Sequence, residues 1–158
     1  PAEGLELYTG STAVEDHAAR PVVRRAVDYL FKNRTEVAAF KAWLAARQGR
    51  LTAFWHPTWE ASIVPVKKIL SNQTVMTVAS RGYALYFNPM PGRTEAAFLH
   101  KNGTWYFRTI SSFGAGTIGD EEVMTINQPF GFDANPEDWL AIYFLEKTRL
   151  DADQIEIN

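Results

Sequence analysis

Residues 33–59 carry two hydrophobic periods back to back, and that junction restricts the fold more than any other feature of the chain. Val37, Phe40, Trp43 and Leu44 recur at spacings of three and four, which lines one face of a helix. Asn33 or Thr35 can cap its start by accepting free N–H groups of the first turn, and Glu36 sits where the helix dipole favours a carboxylate. Arg47 falls in the last turn, and Gly49 follows as a left-handed stop. Residues 51–55 then read as a strand ended by Pro57, within the aromatic cluster Phe54-Trp55-His56-Pro57-Thr58-Trp59. A single amphipathic helix over about 34–48 therefore has to pack on a β framework.

The rest of the chain supplies that framework. Residues 63–69 read as a strand whose Pro65 implies an edge or a bulge, and 73–79 and 83–87 as two more. Asn102-Gly103 lies between strand-forming runs at 94–100 and 104–112, the strongest short-range hairpin signal. Residues 113–120 read as a Gly-rich link, 122–126 and 140–150 as strands, and Asn135-Pro136 as the start of a one-turn helix. Near the N-terminus 5–8 reads as a strand; in 21–31 Val22, Val27 and Leu30 fit one helical face, while the cluster of Val, Tyr and Phe favours a strand; and 155–157 alternates at the other end. One helix with about eight short strands predicts an α+β, mostly β chain, an antiparallel β-sandwich or barrel with one packed amphipathic helix. The expected organisation is an N-terminal arm or leader strand over 1–20 and one β-rich domain over 21–158. The chain opens on Pro and its last residues read as a strand cut short, so further domains are expected beyond it.

Composition excludes several function classes. With no Cys there is no disulfide, thiolate ligand or Cys nucleophile. A net charge of −2 opposes a broad phosphate-binding field, so no nucleic-acid partner is expected. The basic residues Arg20, Arg24, Arg25, Lys32, Arg34, Lys41, Arg47 and Arg50 read as a solvated face or as salt-bridge partners. No apolar run approaches the roughly 20 residues of a membrane span, and no basic-then-apolar signal peptide opens the chain.

Motifs that could carry chemistry read better as structure. Gly114-Ala115-Gly116-Thr117-Ile118-Gly119 matches the dinucleotide pattern, but a strand follows where that site needs a helix, and Asp120, Glu121 and Glu122 would repel phosphate. His17, His56 and His100 stand in no metal-ligand or triad spacing. His56 with Glu60 has no nucleophile or oxyanion hole to serve, and acids such as Asp133 and Glu137 read as solvated. No cofactor, metal or catalytic residue is expected. In a strand Phe54 points away from Trp55, so Phe54 is expected in the core, with Trp55 and Trp59 divided between core and interface. Trp55, His56, Trp59 and Trp105 form the candidate partner interface, because aromatic rings anchor contacts.

Phe40, Leu44, Arg47-Gln48-Gly49-Arg50-Leu51, Phe54 and Trp59 resemble the helix-then-strand segment of phage and prophage tail structural proteins, of the distal-tail or baseplate-hub type found in long-tailed phages and gene transfer agents. Thr58-Trp59-Glu60 stands at the turn where that family carries Asp-Trp. Arg149-Leu150-Asp151-Ala152-Asp153-Gln154-Ile155-Glu156-Ile157 resembles a stretch that precedes a further domain in prophage tail proteins. The resemblance implies a tail-tip or baseplate ring subunit, made in the bacterial cytoplasm and located in the virion tail. Its partners would be other tail proteins and itself, with no catalysis. The alternative is a carbohydrate-binding β-module that presents Trp55, Trp59 and Trp105 to a host-surface glycan. A small cell-wall hydrolase ranks third.

Overall fold

The computed structural model describes residues 30–60, 62–88 and 92–150, together with two N-terminal strands. The chain divides into two compact units, residues 1–39 and 40–158. In the first, β1 (Gly4–Glu6) pairs antiparallel with β2 (Thr12–Val14), matching Gly4 to Val14 and Glu6 to Thr12. The strands expected at 21–31 and 155–157 lie outside the described residues, except that Leu30 and Phe31 are irregular.

Helix α1 (Arg34–Arg47) starts where its cap dictates. The Glu36 N–H donates to the Asn33 Oδ1 at 2.9 Å, and the Lys32 N–H donates back to the Glu36 carboxylate at 2.8 Å. Asn33 rather than Thr35 is therefore the cap, in the reciprocal arrangement that satisfies two N–H groups at once. At the other end Gln48 and Gly49 both take positive φ, and the Thr52 N–H closes on the Arg47 carbonyl at 3.0 Å. The stripe of Phe40, Trp43 and Leu44 is half-buried, and the Trp43 ring meets Phe54 edge-on at 4.8 Å.

The second unit is built on a sheet of six antiparallel strands. These are β3 (Phe54–Pro57), β4 (Val75–Ala79), β5 (Glu95–His100), β6 (Trp105–Ala115), β7 (Glu121–Ile126) and β8 (Trp139–Thr148), in the order β3-β8-β5-β6-β7-β4. β6 belongs to two ladders. Its first half pairs with β5 and its second, from Ile110 on, with β7, and a bulge interrupts the β7 ladder between Ile110 and Ser112. A bulge adds local twist and bends the strand. The sheet consequently folds over: Phe113 in the second half of β6 comes within 6.3 Å of Phe144 on β8. The two halves enclose one sandwich-like core, with Phe98, Ile142 and Phe144 against Met76, Val78, Met124 and Ile126.

Several local expectations need correction. Residues 83–87 are not a strand: α2 (Tyr83–Tyr86) is a helical turn whose Tyr83 ring is buried in the core. The cause lies far along the chain, since the buried Glu122 carboxylate accepts the N–H groups of Arg81, Tyr83 and Ala84 at 2.8 to 3.0 Å. Gly82, at φ +78°, permits the tight entry. Residues 63–69 form no strand beyond two isolated bridges, Pro65 to Val78 and Ile69 to Ala134. The expected Gly-rich link is shorter, because β6 runs on to Ala115 by pairing with β7. The strand after α1 begins at Phe54 and includes Pro57. Phe54 is half-buried against Trp43 rather than in the core, because β3 is an edge strand.

The β5–β6 turn also differs from the expected two-residue form. The Gly103 N–H donates to the His100 carbonyl at 2.8 Å, and the His100 N–H to the Thr104 carbonyl at 3.0 Å. Only Gly103 of the pair has positive φ, so this is a three-residue turn with its glycine in the left-handed position. The expected one-turn helix is present as a 3-10 turn at Pro136–Asp138, with Asn135 and Asp138 capping each other. Among the described residues no helix is long and apolar enough to cross a membrane.

Candidate functional site

Half-exposed antiparallel sheets usually alternate, apolar towards the core and polar towards water. β5 and β8 do not. Phe98 and Ile142 face each other on the core side, so Ala97, Leu99, Ala141, Tyr143 and Leu145 face the other way. β6 adds Phe107 opposite Ala97 and Trp105 opposite Leu99, and β3 adds Pro57 opposite Leu145 and Trp55 opposite Lys147. The middle of this outer face is therefore apolar across four strands, with Glu95, Thr109 and Lys147 at its margins. Ala97 is fully covered, whereas Phe107 is 59% exposed and Trp55 49%.

A row of rings crosses that face. Trp105 and Tyr143 lie 6.0 Å apart at 33°, and Tyr143 and Trp59 lie 5.5 Å apart at 67°. Trp59 owes its place to a rare backbone state. The Thr58 N–H still donates to the Phe144 carbonyl at 2.9 Å, and the next residue turns to φ +60°. A bulky residue there costs about 1 kcal/mol or more, and such strain persists only where the surroundings enforce it. The turn leaves the indole 51% exposed between Tyr143 and His56, which is 5.9 Å away.

The four residues singled out from sequence thus separate. Trp55 and Trp105 share the outer face, and Trp59 joins it through Tyr143. His56 pairs with Glu146 on the opposite side of β3, wedged between the Phe54 and Trp59 rings, with its Nε2 buried and unpartnered. Among the described residues no hydrogen bond or ion pair joins His56 to Glu60, so the acid/base pair weighed above is not assembled. Tyr143 and Phe107 were missed. Their signal was the missing polar phase in Glu95-Ala96-Ala97-Phe98-Leu99 and Leu140-Ala141-Ile142-Tyr143-Phe144-Leu145.

A second feature is an open cleft of ≈ 360 Å³ on the other side of β8, floored by Tyr83, Phe87 and Phe144 and edged by Glu60, Arg81 and Arg93. Its polar groups are largely spent on one another. The Arg93 guanidinium lies over Phe144 at 5.2 Å and Phe87 at 5.6 Å, with Nη1 3.8 Å from the Glu146 carboxylate. The Tyr83 hydroxyl donates to the Ser62 carbonyl. Burial pushes the Tyr83 phenol up, against the opposing effects of the Ser62 bond and Arg81. Glu146 faces Arg93, and Glu60 stands on the same rim as Arg81.

Three further carboxylates tie elements of the fold together. Burial pushes Glu122 up, but the N–H donors of Ala84, Arg81, Tyr83 and Gly82 outweigh it and hold the carboxyl below its ordinary range. Asp133 is held down first by Lys68, at 2.8 Å, and then by the Ser71 N–H. Asp138 is held down first by Lys101, which ties the β5–β6 turn to the start of β8. The Gly114–Gly119 motif lies in the β6–β7 hairpin, where the Gly116 N–H donates to the Glu121 carbonyl at 3.0 Å. Among the described residues no three His, Asp or Glu side chains gather as a metal site would need. No protein-family model matches this sequence, and no curated protein matches it.

Proposed function

We propose that this chain is a structural subunit, or a domain of one, that works by protein–protein assembly, and that its setting is the tail tip or baseplate of a phage or prophage. The observation that carries the assembly reading is the outer sheet face, where Trp55, Trp59, Trp105, Phe107 and Tyr143 stand where solvated sheets carry polar residues. Large apolar patches of this kind mark contact surfaces, and aromatic residues anchor them. The tail setting rests on the sequence resemblance around residues 40–59. Self-association into a closed ring is the form such a subunit would take. Light scattering during size exclusion, followed by electron microscopy with the neighbouring tail proteins, tests the reading. It predicts a defined oligomer or a mixed complex, and a chain that enters neither would count against it.

Glycan binding is the second reading, favoured by the Trp59–Tyr143–Trp105 row. Stacking a linear sugar chain calls for near-coplanar rings, and the 67° between Trp59 and Tyr143 works against that. A glycan array with Trp59→Ala and Trp105→Ala controls separates the two. Signal that disappears in both variants would favour the sugar.

A further inference from the structure

Both outer boundaries of the folded sheet carry a proline, and both prolines point away from the sheet. On β3, the Thr58 N–H bond to the Phe144 carbonyl continues the register of Pro57 with Leu145 and His56 with Glu146. In an antiparallel ladder bonded pairs alternate with non-bonded ones. Thr58, His56 and Phe54 therefore turn their backbone groups towards β8, and Trp55 and Pro57 turn theirs outward. Pro57 has no N–H, which leaves Trp55 as the one donor that β3 directs outward.

The far side repeats the arrangement. The Val66 N–H donates to the Thr77 carbonyl at 3.0 Å, and the Ala79 N–H to the Val64 carbonyl at 2.8 Å, around the bridge of Pro65 with Val78. Val64 and Val66 thus face β4, and Pro65 faces out with no donor.

A partner strand adds to an edge through N–H and C=O pairs at alternate residues. Unblocked, both edges would invite it, since Trp55, Val64 and Val66 are exposed and β-prone. We propose that Pro57 and Pro65 bar strand addition at both edges of this sheet. These backbone bonds are the same whatever the setting of the chain.

Pro57→Thr and Pro65→Thr in the full chain restore one outward amide each. The test is run in a Phe107→Ser background, which removes the outer-face anchor and separates edge contacts from face contacts. Sedimentation over a concentration series should show association strengthened roughly fivefold to tenfold per restored amide. Thioflavin T binding should appear with it. Pro57→Ala and Pro65→Ala restore the amide without a β-branched side chain and should act in the same direction. Folded variants that associate no more strongly than the parent would overturn the proposal. Amide exchange on the unaltered chain decides the β3 edge independently. The Trp55 amide should exchange quickly beside a protected His56, and equal protection of the two would show an edge already paired.

Discussion

The Trp105 and Tyr143 rings meet across β5, 6.0 Å apart, although their strands are not neighbours in the sheet. On β5 the outward residue opposite Tyr143 is the small Ala97, which lets the Tyr143 ring reach over the strand to Trp105, itself opposite Leu99. Replacing Ala97 with Leu should wedge the rings apart. It would cost about 1 to 3 kcal/mol by overpacking, read by chemical denaturation, and would shift tryptophan fluorescence.

Glu122 holds α2 in place from β7 through three N–H bonds. Glu122→Gln turns an amide group towards those donors and removes the charge, and should lower stability by about 2 kcal/mol in denaturant titrations. Exchange protection should fall first at residues 81–86.

Acid and alkali should act through different groups. Glu122, Asp133 and Asp138 all have folded values below their ordinary range, so each contributes stability above its unfolded value, about 4. That contribution drains away as pH falls through the lowered folded values. Tyr83 is raised, so its contribution is complete below about 10 and is lost as pH rises through its folded value. Thermal melts from acid to alkali should give a plateau with both limbs. Glu122→Gln should flatten the acid limb, and Tyr83→Phe the alkaline one.

Trp43 is the contact that fixes the C-terminal half of α1 to β3, edge-on to Phe54. Trp43→Ala should cost roughly 1 kcal/mol beyond the lost area. Its signature is local: amides of residues 43–47 should exchange faster, and those of β5 and β8 should not change.

Local chemistry was legible in the sequence, and long-range chemistry was not. The α1 boundaries follow from Asn33, Glu36 and Gly49, which lie within a turn of the groups they satisfy. Residues 83–87 looked like a strand because their cap, Glu122, is 39 residues from Tyr83. β6 was read too short for the same reason, since pairing with β7 carries it through Gly114. At the candidate interface, Trp55 and Trp105 were found by their size and Trp59 by its neighbours. Phe107 and Tyr143 were passed over because strand propensity explained them, although the lost alternation in β5 and β8 already marked a sheet apolar on both faces.

The central claim is that the outer face of β3, β8, β5 and β6 is an assembly surface, and Phe107 tests it most directly because it is exposed and carries little of the fold. Sedimentation equilibrium should be measured for the full chain and for Phe107→Asp, alone and mixed with the tail proteins that the proposed setting would place beside it. The parent should associate, with itself or with a tail protein. In the variant that association should be lost, with stability unchanged within about 0.5 kcal/mol. Association that survives Phe107→Asp, or a parent that stays monomeric and unbound at every concentration, would contradict it.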